Sequence, residues 1–372
     1  MKIVQLITQM DTVGGAQVHV RDIAHGQEKI GHTIYLVAGG NESNHDIFGK
    51  DKSNLIYSNY LIRSLHLIWD LKAVFEIRKI IKEIGPDLIA THSSKAGVIG
   101  RIAGWTLNIP TIFTAHGWSF TEGVQNKKKW FYILIEKAIG LISDGVITVS
   151  KYDEQLALRY KVLPKRKIIT IHNGVHDIQV NKKVEYVDRV PKIIMVARFA
   201  PPKKQLQLLD ALNRIRNIPW EMYFAGEGVQ LEEAKNFVEH ADLMNRVHFL
   251  GNREDINDLL NKSHIFVLLS EWEGLPLSIL EAMRSSLPII ASDVGGVKEA
   301  VLQSINGYVI PRNDSSDLID KLTILLTSPE LRLEMGNKSR LSYENNFTYD
   351  KMQEETLDYY EKVIQTKKNK YL

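Results

Sequence analysis

Glu273 and Glu281 flank a Gly-Leu-Pro turn, with seven residues between them, in the stretch Ser270-Glu271-Trp272-Glu273-Gly274-Leu275-Pro276-Leu277-Ser278-Ile279-Leu280-Glu281. Both carboxylates suit hydroxyl groups, and a helical rise of ~1.5 Å per residue would keep them roughly 10 Å apart, enough to hold opposite ends of one ligand. A capping acid followed by a solvated helical residue would read the same way. Upstream, Arg198 and Lys203 bracket a proline turn. Two cations so placed could hold a diphosphate through charge-assisted bonds, although surface cations are the plainer reading. His116, followed by Gly117, could hydrogen-bond a sugar, position a nucleophile, or be a buried structural histidine. Gly14-Gly15 allows a close approach to the backbone but is no G-x-G-x-x-G fingerprint, and a tight turn would look alike. The turns Ala225-Gly226-Glu227-Gly228 and Leu250-Gly251-Asn252-Arg253 could offer groups to a base, as ordinary turns could.

These residues fall where apolar runs meet helical patterns. His264-Ile265-Phe266-Val267-Leu268-Leu269 has the length and β-branched content of a buried strand, and Pro276 suits the first turn of the helix that follows. The unpaired N–H groups of that turn would face an anion. In the first half, strands are expected at 2–8, 33–38, 87–91, 111–115, 145–149 and 168–172, with helices at 17–30, 68–84, 95–107, 130–142 and 152–160. The second half repeats the scheme with strands at 192–198, 221–225, 247–250, 264–269 and 288–291, then a long helical tail after Ser315. Such alternation predicts an α/β chain of two Rossmann-like doubly wound domains facing each other across a cleft. The polar stretch 175–191 is the expected linker. The expected domains are 1–180, 190–350 and a C-terminal helix, 351–372, crossing back to the first.

At 372 residues the chain exceeds one ordinary core, and its 44% hydrophobic and 24% charged content is that of a soluble globular protein. It has no cysteine, which excludes disulfides and thiolate metal sites and fits a reducing compartment. No Asp-x-Asp pair occurs and the histidines are scattered along the chain, so no divalent metal is expected. The window 130–149 is interrupted by Glu136, Lys137 and Asp144 and cannot span a membrane. The N-terminus reads as a strand and not as a signal peptide.

Residues 1–190 carry 25 Lys and Arg against 18 Asp and Glu, and the remainder 22 against 26. The basic half therefore invites an acidic partner, and a membrane surface fits better than nucleic acid. Arg63 and Trp69 in one segment, and Lys127, Lys128, Lys129 and Trp130 in another, could rest on anionic headgroups, although a solvated turn leading into a core helix reads similarly.

In their combined order, Gly14-Gly15, His116-Gly117, Asn173-Gly174-Val175, Arg198/Lys203 and the Glu273-to-Glu281 element resemble the retaining glycosyltransferases of family 4, which have the two-Rossmann glycosyltransferase B fold. The resemblance covers essentially the whole chain. Thr114 to Gly123, T-A-H-G-W-S-F-T-E-G, further resembles bacterial members that build capsular, lipopolysaccharide or exopolysaccharide repeat units. It implies that Arg198 and Lys203 bind the donor diphosphate, Glu281 the ribose and Glu273 the transferred sugar. It also implies that Gly15 and the turn after Pro276 offer backbone N–H groups to the phosphates and that His116 lies near the reacting carbon; Gly14, Asn252, Gly274, Leu277 and Ser278 complete the expected donor-binding set. Lys204 stands where the family often has glycine, which leaves open which lysine meets the phosphate.

The implied reaction is metal-independent, retaining transfer of a hexose or N-acetylhexosamine from a nucleotide diphosphate sugar, a UDP-sugar by expectation. The expected acceptor is a lipid-diphosphate-linked saccharide at the cytoplasmic face of the membrane. A nucleotide-sugar epimerase or phosphorylase on the same fold, or an inactive sugar-nucleotide-binding subunit, are the alternatives. No cofactor is expected beyond the substrate.

Overall fold

The computed structural model describes residues 1–10, 14–40, 54–178 and 190–369, so Asp11–Val13 and most of the expected linker lie outside the described residues. The chain divides into two compact units, one of residues 1–173 with 350–372 and one of residues 174–349.

The first unit holds strands β1 (Lys2–Ile7), β2 (Thr33–Gly39), β3 (Leu55–Ser58), β4 (Leu88–His92), β5 (Thr111–Ala115), β6 (Gly145–Thr148) and β7 (Ile168–Thr170). They form one parallel sheet in the order β3-β2-β1-β4-β5-β6-β7. Helices α1 (Gly15–Lys29), α2 (Leu67–Ile84), α3 (Ser94–Leu107), α4 (Asn126–Ile142) and α5 (Lys151–Arg159) make the crossovers. Because helices cover the sheet, its central strands are buried throughout, and β4 and β5 show no exposed position.

Helix α3 lies close on the sheet because three glycines face it. A Cβ at Gly104 would meet the Thr111 hydroxyl at 2.0 Å, and one at Gly100 would meet Thr91 at 2.5 Å. Among these glycines, Arg101 lies over the Phe113 ring of β5, forms a buried ion pair with Glu136 of α4 at 2.8 Å and donates to the Gly97 carbonyl.

The second unit holds β8 (Lys192–Val196), β9 (Glu221–Ala225), β10 (Val247–Phe249), β11 (Ile265–Leu268), β12 (Ile289–Ser292) and β13 (Gly307–Ile310), parallel in the order β10-β9-β8-β11-β12-β13. Its helices are α6 (Gln205–Arg214), α7 (Leu231–His240), α8 (Ile256–Asn261), α9 (Leu277–Arg284), α10 (Val297–Ala300), α11 (Ser315–Thr327) and α12 (Pro329–Asn346). The last helix, α13 (Tyr349–Lys368), packs on the first unit: Tyr359 donates to the Lys167 carbonyl at 2.9 Å and Lys367 pairs with Asp144 at 2.7 Å.

In both sheets the strand order reverses once, between β1 and β4 and between β8 and β11. That reversal opens a crevice at the carboxyl ends of the two strands, the usual place for a ligand in such folds.

The structure differs from the sequence reading at several places. β3 and β13 are short strands that the reading left unassigned, and the tail after Ser315 is three helices. β8 stops at Val196, so Arg198 lies beyond the strand. Helix α4 starts at Asn126 and not at Trp130, because no proline or glycine between them halts it. Lys127, Lys128 and Lys129 therefore belong to a helix's first turn.

Candidate active site

In the second unit, the loops after β8 and β11 are laced together by backbone hydrogen bonds. Lys204 N–H donates to the Leu269 carbonyl at 3.0 Å and Glu271 N–H to the Pro202 carbonyl at 2.9 Å. This lacing presents Lys203 to Glu273. The ammonium of Lys203 donates to Glu273 Oε1, and the Ser270 hydroxyl donates to the same oxygen at 2.5 Å. Both side chains of the pair keep some access to water, 18% for Lys203 and 13% for Glu273. Lys204 turns elsewhere and pairs with Glu271 at 2.5 Å, so Lys203 is the lysine that faces Glu273. The sequence reading gave Lys203 and Glu273 separate tasks; the structure brings them into one ion pair.

A loop after β12 supports this turn. Gly295 has φ +54°, and a Cβ there would sit 1.8 Å from the Glu273 carbonyl oxygen. Its neighbour Gly296 donates its N–H to the Gly274 carbonyl at 2.9 Å. Only glycine tolerates both that conformation and that approach. The reading missed these two residues, whose signal was a glycine pair two residues beyond the end of a strand.

Pro276 is the N-cap of α9, one residue before the helix, and the first turn carries no acidic residue and no side-chain cap. Every α9 residue is buried except Ser278 and Glu281, which share one face at a spacing of three. Gly274 and Leu277 are buried. Arg198 is exposed, and Gln205 holds its carbonyl at 2.9 Å. Asn252 is also exposed and donates to Glu227 at 3.1 Å. A cavity of about 400 Å³ beside Lys203 is lined by Phe199, Lys204, Gln205, Gln230 and Ser315, and it does not include Glu273 or Glu281.

In the first unit, Gly14 is the N-cap of α1 and Gly15 its exposed first residue, with no acid in the first turn. The histidines are not scattered in space. His19 of α1, His92 at the end of β4 and His116 just after β5 converge, one ring nitrogen from each lying within 4.8 Å of the others. Parallel strands that end side by side gather residues distant in sequence.

His92 Nε2 meets Gln5 Oε1 at 2.8 Å, Gln5 donates to Gln27 Oε1 at 2.9 Å, and His92 Nδ1 lies 3.2 Å from His116 Nε2. Burial pushes the pKa of His19 down to about 4. Burial, reinforced by neighbouring imidazoles, holds His92 and His116 well below the usual histidine range. All three are neutral at neutral pH.

Of the expected docking residues, Arg63, Trp69, Lys127, Lys128 and Trp130 are exposed and Lys129 is half-buried, its ammonium 5.3 Å from the centre of the Tyr160 ring. Leu67, Ile68, Leu71 and Phe75 of α2, and Trp130, Phe131, Leu134 and Leu141 of α4, are also exposed. No helix among the described residues is long and apolar enough to cross a membrane.

Residues 13–178 match the family model described as Glycosyltransferase Family 4, and residues 177–342 match Glycosyl transferases group 1. An Escherichia coli protein named UDP-Gal:alpha-D-GlcNAc-diphosphoundecaprenol alpha-1,3-galactosyltransferase is 29% identical over 82% of this chain and 83% of its own length. The Campylobacter jejuni N,N'-diacetylbacillosaminyl-diphospho-undecaprenol alpha-1,3-N-acetylgalactosaminyltransferase is 25% identical over 79% of this chain and 82% of its own. In fold, the chain is similar to the Thermosynechococcus elongatus sucrose-phosphate synthase, with a TM-score of 0.84 at 20% identity over 98% of this chain and 100% of that one. Anabaena HepE in complex with UDP-glucose gives a TM-score of 0.80 at 20% identity, covering 96% of this chain and 98% of that one. With both sheets and both matched halves in agreement, the chain is a family 4-like glycosyltransferase of the glycosyltransferase B fold.

Proposed function

We propose that this glycosyltransferase moves a hexose or N-acetylhexosamine from a UDP-sugar to a lipid-diphosphate-linked saccharide, with retention at the transferred carbon. The observation that carries this reading is the Lys203–Ser270–Glu273 cluster at the strand-order reversal of the second sheet. A diphosphate entering there competes for the Lys203 ammonium, and Glu273 then turns to the hydroxyls of the sugar. Arg198 and the first turn of α9 add positive charge for the departing diphosphate, as oxyanion donors do elsewhere. Glu281 grips the ribose from the one open face of α9, and Asn252 lies toward the base. On the first unit, the first turn of α1 after Gly14-Gly15 meets phosphate and His116 meets the sugar or acceptor. Both carboxylates serve as binding groups, so the donor phosphate itself accepts the proton of the attacking hydroxyl on the front face. Protein cations supply the charge for this step, which needs no metal.

The names of the Escherichia coli and Campylobacter jejuni relatives, both of which act on diphosphoundecaprenol-linked sugars, support the acceptor class. The exposed apolar stripes of α2 and α4 support peripheral contact with an anionic cytoplasmic membrane face. Every exposed tryptophan and phenylalanine among the described residues belongs to the first unit.

The test is release of nucleoside diphosphate from a panel of UDP, GDP and ADP sugars with membrane lipid extract. UDP-sugar turnover that depends on the extract and is lost in Glu273→Gln is expected; equal rates in wild type and variant overturn the reading. For the membrane, flotation with anionic liposomes should weaken when Lys127, Lys128 and Lys129 become Gln, and unchanged flotation removes that surface.

A further inference from the structure

The imidazoles of the first unit are tied to a chain of amides that runs back into the core. Gln5 of β1, Gln27 of α1, His92 and Tyr360 of α13 are each completely buried. Both amides stand against the Tyr360 phenol, whose pKa burial pushes up, so it stays protonated. Gln5 donates its N–H to the Gln27 oxygen at 2.9 Å and turns its own oxygen to His92 Nε2 at 2.8 Å. An amide oxygen can only accept, which puts the proton of neutral His92 on Nε2 and leaves its Nδ1 a bare acceptor. His116 Nε2 lies 3.2 Å from that nitrogen and supplies the proton of their bond. The two ring planes are 26° apart and their centroids 5.4 Å, which is the nitrogen separation plus the two ring radii. The rings therefore meet end to end, as an N–H···N bond requires, and not face to face.

With its proton committed to Nε2, His116 has its lone pair on Nδ1. That nitrogen has no hydrogen bond among the described residues and, unlike His19 Nδ1, is not closed off from water. His116 is half-buried where His19 and His92 are buried, and the His19 ring meets it edge-on at 4.6 Å between centroids.

We propose that Gln5 and His92 are positioning residues that fix His116 as a hydrogen-bond acceptor, so that its Nδ1 takes a hydroxyl of the substrate and has no proton to offer a ring or phosphate oxygen. The proposal rests on the sugar site described under the proposed function. A site that holds an acceptor ready for a hydroxyl rejects a substrate lacking it, because the nitrogen is then left unpaired. Burial keeps His116 weakly basic, so it orients that hydroxyl and does not deprotonate it.

The experiment reads the full chain, labelled with nitrogen-15 in its histidine rings, by two-bond proton–nitrogen correlation at neutral pH, each signal assigned by its loss in the matching variant. Wild type should carry the proton on Nε2 in both His92 and His116, and Gln5→Leu should release His116 into a mixture of its two tautomers. Donor sugars and, separately, acceptor saccharides deoxygenated at single positions then locate the hydroxyl and say which substrate presents it. One deoxygenation should lower kcat/KM about 10–100-fold in wild type. In Gln5→Leu and His92→Phe, neither of which touches substrate, most of that penalty should vanish while UDP affinity by calorimetry stays as in wild type. Because a variant can fail to fold, the wild-type spectrum stands as an independent reading. A wild-type His116 protonated on Nδ1, no penalty at any hydroxyl of an active enzyme, or a penalty that both folded variants keep in full overturns the proposal. The tautomers are read without turnover, so a chain that transfers no sugar counts against the proposed reaction, while the position of the proton still decides for or against the relay.

Discussion

Two cation–carboxylate pairs sit beside the two sheets and serve different ends. Arg101–Glu136 bridges α3 and α4 with side-chain exposures of 0% and 5%, its guanidinium also held by Gly97 and Ser143 and stacked 4.6 Å from the Phe113 ring. Lys203–Glu273 lies at strand ends with 18% and 13% exposure and shares its carboxylate with a single serine. The first pair is sealed, and its several partners leave it nothing to exchange. The second is within reach of water and sits where the strand order reverses, so a ligand anion can compete for its lysine. Access and spare bonding capacity, more than residue type, separate a pair that holds a fold from one suited to bind.

The comparison breaks most visibly at the sealed pair. Glu136→Ala leaves a buried guanidinium unpaired and should cost about 3–5 kcal/mol in denaturant unfolding, with kcat/KM of the folded fraction near wild type. A loss below about 1 kcal/mol would mean that water reaches the pair. At the open pair the pattern should invert. Lys203→Ala should lower kcat/KM by about 10²–10³-fold while changing unfolding by about 1 kcal/mol or less. If stability falls and turnover persists, Lys203 is a brace and not a ligand group.

Gly295→Ala probes the support under Glu273. Its φ of +54° and the 1.8 Å approach of a Cβ to the Glu273 carbonyl should cost about 1–3 kcal/mol, with a parallel drop in UDP affinity by calorimetry. Tyr359→Phe, on the first unit's side, removes one hydrogen bond and should cost about 1 kcal/mol. Burial pushes Tyr359 up to about 12 from an ordinary value of 10.0. The folded state thus keeps a proton that the unfolded chain gives up, and the contribution is intact below about pH 10 and lost as pH rises through about 12. Melting curves across that window should fall less steeply for Tyr359→Phe than for wild type.

Much of the fold was legible because parallel strands covered on both faces are continuous apolar runs, and five of the second sheet's six strands stand within two residues of those runs. β13, Gly307–Ile310, escaped because it is only four residues long and lies between Asn306 and Pro311, so the stretch reads more as a loop than as a strand. The start of α4 escaped because Asn126-Lys127-Lys128-Lys129 puts positive charge at a helix N-terminus, against the usual preference.

The sequence alone determined the two sheets, the residues at their strand ends, and the family to which their order points, since these depend on local periodicity and on short motifs. Tertiary structure decided which of those residues meet. Lys203 and Glu273, separated by 70 positions, share a hydrogen bond only because β8 and β11 are neighbours in the sheet. His19, His92 and His116 form one cluster only because β1, β4 and β5 end side by side. Strand order is a long-range property, and no spacing along the chain encodes which ends will adjoin.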